Sequence, residues 1–273
     1  YRLYNIEQIL LTHGHVDHTG QAVLFTESRM HNPEHEVQFG IHSSDWERVA
    51  RFEEFIEGRV ESYFRIIGMG AVPLSARPPM PADILAKYFK SFGESVPQVS
   101  AFQEGDCFPT GIGNLEVLSV PGHSSGSSCF VCNDAGLLFS GDHLLATISS
   151  NPSLDFELEG QIPLLTYLDS LDKIAKYNGM IAFPGHRGVI KDIEQRAEDL
   201  KSEYNEKLRQ TEDALGFGPK TLYELSRIIY GNYNSDSLVL ALAETRDLLR
   251  VLEFKGKASL ENENGVLRAF FAE

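Results

Sequence analysis

Ile9-Leu10-Leu11-Thr12-His13-Gly14-His15-Val16-Asp17-His18 is the stretch on which the reading of this chain turns. The apolar run at its start predicts a short buried strand, and a loop dense in potential ligands follows directly. Residues at i and i+2 on extended backbone point the same way, so His13 and His15 can share one metal ion. Asp17 and His18 come next on the turning loop and can serve a second. Neutral imidazole and carboxylate together suit zinc, iron or manganese, with zinc expected first. Histidines that only cap loop backbone are the bland alternative, and H-x-H-x-D-H is too dense a pattern for that role.

Three further turns repeat one arrangement. Pro121-Gly122-His123, Ser140-Gly141-Asp142 and Pro184-Gly185-His186 each follow a predicted strand, which puts one candidate ligand at a strand's C-terminal end. Each alone is an ordinary loop signal, but in order behind the first motif they form a set. The predicted strands cover 37–41, 115–120, 128–132, 137–140 and 181–183. Helices are expected over 20–29, 82–92, 162–177 and 193–208. Ser43, Ser44 and Asp45 read as cap residues for one more helix, on which Trp46, Val49, Phe52, Ile56, Tyr63 and Ile67 recur at helical spacing. Strands interleaved with helices predict a layered α/β domain.

Gly216-Phe217-Gly218-Pro219 reads as a linker, dividing the chain into a catalytic domain over 1–214 and a small domain over 215–273. In the second, Thr221 and Glu224 form a capping box, a further helix covers 237–254, and 258–261 and 266–271 form a hairpin through Asn264-Gly265. Two helices and a hairpin in so short a span predict a winged-helix-like domain.

The composition narrows the function classes. The chain has 273 residues, 42% hydrophobic and 23% charged, which excludes a disordered, collagenous or coiled-coil protein. No run of about 18 apolar residues is present, so no membrane association is expected. Lys and Arg number 24 against 39 Asp and Glu, a formal charge of -15, which repels polyanions. From Leu215 onward there are 7 Lys and Arg against 8 Asp and Glu, and the candidate recognition helix carries only Arg246 and Arg250 as cations. A nucleic-acid partner is therefore not expected. Three cysteines do not make a disulfide framework and point to a reducing, cytoplasmic compartment. The chain begins at Tyr1, within a dozen residues of its richest motif, so upstream sequence is expected.

The five-part constellation resembles the metallo-beta-lactamase superfamily, specifically its glyoxalase II-like hydrolase branch, from residue 3 to about 190. The resemblance implies an αββα sandwich with a dinuclear site at the edge of its sheets. Carried over by motif, His13, His15 and His123 would hold one metal, Asp17, His18 and His186 the other, and Asp142 would bridge both. It implies two divalent ions, zinc foremost with iron or manganese as alternatives, and catalytic roles for Asp17 and Asp142. Two such ions about 3.5–4 Å apart share a hydroxide, from a water whose pKa falls towards about 7, that attacks an acyl carbon or phosphorus. Two carboxylates against four positive charges leave a positive pocket inside an acidic protein.

The chain departs from that pattern in three places. The two or so strands that usually precede the first motif are absent, which opens a sheet edge. The interval from His18 to His123 is long, its excess being the Pro-broken helical stretch 43–97. The last motif runs Gly185-His186-Arg187 where the family often has a second glycine. Stretch 43–97 reads either as extra packing through Trp46, Phe52, Phe55, Phe64 and Met69, or as a lid over the metal site. As a lid it could bring Arg77 to a substrate carboxylate.

Other candidates read as bland. Cys129 and Cys132 lie on a strand and suit core packing. His31, His35 and His42 read as surface or capping residues, and His143 points away from Asp142's side of the backbone. Ser124, Ser125, Ser127 and Ser128 satisfy loop backbone. The expected function is metal-dependent hydrolysis of a thioester or ester of a small acidic metabolite, by a chain that could form a homodimer. Alternatives are a phosphodiesterase or endoribonuclease, an iron-dependent persulfide dioxygenase with one metal, and a non-enzymatic winged-helix regulator.

Overall fold

β1 (Gln8–Leu10), β2 (Gln38–His42) and β3 (Ser100–Phe102) pair in parallel, in that order, as one sheet. β4 (Cys107–Thr110), β5 (Gly113–Ser119), β6 (Ser128–Cys132), β7 (Leu137–Gly141) and β8 (Ile181–Pro184) form a second, antiparallel except for the parallel β7–β8 pair. The computed structural model describes residues 6–26, 37–57, 59–77, 81–152, 161–263 and 266–272. The expectations for His31, His35, Pro78, Pro79 and the Asn264-Gly265 turn lie outside the described residues.

Side chains on the second sheet alternate between two cores, as the period of a strand requires. Val117, Phe130 and Phe139 face a small cluster with Phe102 and Leu10, between the two sheets. Leu118, Cys129, Val131 and Leu138 face the opposite way, into the main core. There they meet α6 (Pro163–Ala175) through Leu164, Tyr167 and Leu171, and α7 (Ile193–Leu215) through Ile193, Leu200 and Tyr204. The first sheet buries its far face, Phe39 and Ile41, against Val49, Ala50 and Val96. Helix, sheet, sheet, helix is thus the layer order, set by two sheets that are apolar on both faces.

The sequence predicts a buried β1, yet it is half-buried at the edge of its sheet, because β2 is its one neighbour among the described residues. The first helix begins inside the ligand motif, as α1 (Val16–Thr19), with a 3-10 turn over Ala22–Phe25 behind it, not as one helix from residue 20. The helix expected from 46 to 67 is three: α2 (Trp46–Ala50), α3 (Phe52–Ile56) and α4 (Arg59–Ile66). Arg51, at φ -134° and ψ 46°, breaks the first pair, and Glu57 turns extended after the second. α5 (Ala82–Lys90) packs back on α3 and α4.

β9 (Lys220–Thr221), α8 (Leu222–Tyr230), α9 (Ser235–Phe254), β10 (Ala258–Glu263) and β11 (Val266–Phe271) complete the chain, with a third sheet ordered β10-β11-β9. The Thr221–Glu224 capping box forms as expected. Leu222, Leu225, Leu238, Leu242 and Leu249 join the same main core as α6 and α7. The apolar side of α9 is therefore buried against the α/β body.

Candidate metal centre

The four motif loops converge because their strands end at one edge of the sandwich. Backbone bonds hold them in register: Ser128 N donates to Thr12 O at 2.8 Å across the two sheets, and Gly185 N to Gly141 O at 2.8 Å. Two of the motif glycines have a plain steric reason. Gly122 sits at φ +136°, and a Cβ there would lie 2.6 Å from Tyr167 Cα. A Cβ on Gly185 would lie 2.5 Å from Asp142 Oδ1 and 2.6 Å from His18 Cε1. Arg187, which stands where a second glycine was anticipated, has φ 72°. A non-glycine residue in that left-handed region costs roughly 1–2 kcal/mol.

His13, His15 and His123 form one group whose ligand atoms lie within 4.8 Å of one another, and Asp17, His18, Asp142 and His186 form another. All seven residues singled out in the sequence are thus brought together. Asp142 touches both groups, with Oδ1 3.4 Å from His18 Nε2, and Oδ2 3.4 Å from His186 Nε2 and 3.8 Å from His123 Nε2. His186 Nε2 lies 3.2 Å from both Asp17 Oδ2 and His18 Nε2.

This donor set fits a cation. His123 Nδ1 donates to Ser150 O at 2.5 Å, which leaves its Nε2 as a lone pair, 2.9 Å from His15 Nδ1. His13 Nε2 is buried and makes no hydrogen bond among the described residues. A buried lone pair without a partner is costly, and three converging on one point are satisfied together by a metal ion.

Electrostatics favour the ligating protonation states. Burial, then repulsion between the neighbouring rings, holds His13 and His15 well below the ordinary imidazole value. Burial likewise lowers His123, although Asp142 works against it. For His18 burial is outweighed by its Asp142 hydrogen bond and by the Asp142 and Asp17 charges, so its pKa rises. Burial raises the Asp142 carboxyl, but the His18 hydrogen bond and the surrounding rings bring it below its usual range.

A pH dependence follows for the metal-free protein. His143, buried against the Tyr167 ring and outside both ligand groups, is pushed down by burial to about 3. Its stabilising contribution, like those of His13, His15 and His123, is present above the unfolded imidazole value of about 6.5 and lost as pH falls below it, because only the unfolded chain then takes up protons. His18 acts in the opposite sense, contributing below that value and losing the contribution as pH rises through its folded pKa. Asp142 is ionised in both states across this window. His42 is lowered by burial as well, and with five groups against one, urea denaturation should show a lower midpoint at about pH 5.5 than at about pH 7.5. Equal midpoints would contradict the burial of these rings.

Asp45 is the functional residue that the sequence reading missed. Its place in the sequence is that of a helix cap, but its side chain caps nothing in α2. It is fully buried, and its Oδ2 accepts from Gly14 N at 2.8 Å and from Ser124 Oγ at 2.6 Å, while Oδ1 accepts from Gly126 N at 2.9 Å. Arg48 Nε stands 3.7 Å from Oδ1. One carboxylate therefore ties the His13–His15 loop to the loop behind His123. Ser124 is held in this network, and His42 accepts from Ser44 N as a cap, both in line with their bland readings. Cys129 and Cys132 are buried free thiols on β6. Arg77 does not reach the site: it donates to Val72 O and Gly70 O, each at 2.9 Å.

The cluster floors a cavity of about 350 Å³, walled by α3, by the loop through Ile148 and by Leu240 of α9. Among the described residues no helix is long and apolar enough to cross a membrane.

Comparison with known proteins places this architecture. The chain is 26% identical over 261 residues to a probable metallo-hydrolase, YqjP, of Bacillus subtilis, covering 92% of this chain and 76% of that one. It is 26% identical over 215 residues to an atrochrysone carboxyl ACP thioesterase of Aspergillus novofumigatus, of which it spans 62%. A metallo-beta-lactamase family protein of Thermus thermophilus superposes with a TM-score of 0.80 at 28% identity, covering 98% of this chain and 81% of that one. The metallo-beta-lactamase superfamily model matches residues 1–186, from the first strand to the last histidine of the cluster. With its fold, its His/Asp cluster and its sequence in agreement, the chain belongs to the metallo-beta-lactamase superfamily.

Proposed function

We propose that this chain is a metal-dependent acyl hydrolase of the glyoxalase II-like kind, acting on a small-molecule thioester or ester. The observation that carries this reading is the meeting of two His/Asp donor groups at one carboxylate, Asp142, on the floor of a single cavity. On this reading His13, His15 and His123 would hold one divalent ion, and Asp17, His18 and His186 the other, with Asp142 shared by both groups. Zinc suits the imidazole-rich set, and iron or manganese share it. Divalent ions at these positions supply Lewis acidity and bring the pKa of a water towards neutrality. Asp142, kept anionic by His18, orients the attacking water. Asp17, with a side chain 57% exposed, sits at the open end of the cluster, where a proton can pass to the departing group.

Ser124 Oγ donates to the buried Asp45 carboxylate and has no histidine base among its hydrogen-bond partners in the described residues, which speaks against it as the nucleophile. The named activity of the thioesterase relative supports the thioester class. The strand, helix pair and hairpin after α7 follow a winged-helix-like order, used here for packing and for one wall of the cavity. The acidic surface and free thiols suit a cytoplasmic enzyme with small substrates rather than a nuclease.

The test is a side-by-side kcat/KM comparison of S-acyl thiols, esters, phosphodiesters and short single-stranded RNA with metal-loaded protein, repeated after chelation. Chelator-sensitive turnover of S-acyl thiols or esters is expected. Efficient, salt-sensitive RNA cleavage, or oxygen consumption with a persulfide, would replace this reading.

A further inference from the structure

We propose that the cavity over the cluster is an acyl pocket selective for an uncharged, apolar acyl group, a single aromatic ring or a medium-length alkyl chain. The inference rests on the acyl-hydrolase reading and departs from the small acidic metabolite expected from the sequence.

Two sets of apolar side chains wall the cavity that the His/Asp cluster floors. Phe52, Phe55 and Ile56 of α3 form one, and Leu145, Ile148 and Leu240 form the other. The first wall lies in the stretch read as packing or lid, whereas Leu240 of the second comes from α9, more than 180 residues further along the chain. Ile148 and Leu240 are each 41% exposed, large apolar side chains left open at a cavity otherwise built around polar ligands. An apolar group seated between the walls would remove that surface from water, which is the driving force for binding. At about 350 Å³ the cavity lies near the lower end of the usual range of about 300–1,000 Å³ for small-ligand pockets.

The charges around it argue against an acidic acyl group. Among the described residues that line the cavity, Arg48 is the one Lys or Arg, and it is already engaged. Its Nε lies 3.7 Å from Asp45, and its guanidinium carbon stands 4.5 Å over the Phe55 ring. Asp17, which lines the same cavity, is a carboxylate and offers an acidic acyl group no ion-pair partner. A second cavity of about 230 Å³ shares Ser149, Asn151 and Leu240 with the first and is also lined by Lys207, Tyr230 and Glu244. The leaving group could be read there, so the test holds it constant.

The experiment uses the metal-loaded full chain and N-acetylcysteamine thioesters with acetyl, butanoyl, hexanoyl, benzoyl and succinyl groups. kcat/KM is expected to rise about fourfold per methylene from acetyl to hexanoyl. Succinyl should fall at least about tenfold below butanoyl. Phe55→Ala and Leu240→Ser should each cut the hexanoyl-to-acetyl ratio at least about fivefold. Calorimetric binding of hexanoate and acetate to the same protein gives a readout independent of turnover, with hexanoate expected to bind at least about tenfold tighter. Thioester hydrolysis without chain-length dependence, or with succinyl preferred, overturns the pocket and leaves the hydrolase reading standing. Tighter hexanoate binding without turnover of any thioester or of the matching hexanoyl and acetyl esters supports the pocket and sinks the hydrolase reading.

Discussion

Asp142→Asn is expected to lower turnover at least about a thousandfold, the largest single effect in the molecule. The substitution keeps the side chain's volume and removes its charge, so the fold should persist while the link between the two ligand groups fails. Asp142 is within 3.8 Å of a ring in each group, and no other carboxylate in either group touches both. Elemental analysis of carefully loaded protein should approach two equivalents of metal in the native chain and fall by at least one in the variant. A stoichiometry that stays near one in the native protein under metal excess would remove the dinuclear assignment and favour the single-metal dioxygenase chemistry.

The second large effect belongs to a residue that ligates nothing. Asp45→Ala removes a buried carboxylate that accepts from Gly14 N, Ser124 Oγ and Gly126 N, and leaves Arg48 without that counter-charge. Breaking a buried pair of this kind costs about 3–5 kcal/mol. Because the two loops it ties carry His13, His15 and His123, metal affinity should also fall about 10- to 100-fold. Asp45→Asn keeps the shape and one acceptor oxygen, so it should recover most of the stability but not all of the affinity. Urea denaturation of the metal-free protein separates the first effect from a zinc titration of the folded variants, which reads the second. Unchanged zinc affinity in Asp45→Ala would reduce Asp45 to a structural residue.

The contrast between these two aspartates shows what a sequence makes legible. Asp142 stands in a repeated local pattern, a strand end followed by Gly and a ligand type, and three such patterns behind His13-Gly14-His15-Val16-Asp17-His18 named all seven members of the cluster. Asp45 stands after Ser43-Ser44 before an apolar helix, where any helix start would place it. Its partner Gly126 is 81 residues away, and no periodicity encodes that contact.

By itself, then, the sequence determined which seven donor residues cluster, the layered α/β class and the capping box at Thr221, because each depends on chemistry or periodicity within a few turns of chain. Tertiary structure decided the rest. It broke the helix expected over 46–67 into three at Arg51 and Glu57, so that α3 faces the cavity, and it held Arg187 in the left-handed region beside His186. It also brought Phe55 and Leu240 to the lining of one cavity and turned Asp45 inward between two loops. These outcomes follow from packing between distant segments, where the burial of shared apolar surface and of paired charge overrides what each segment prefers alone.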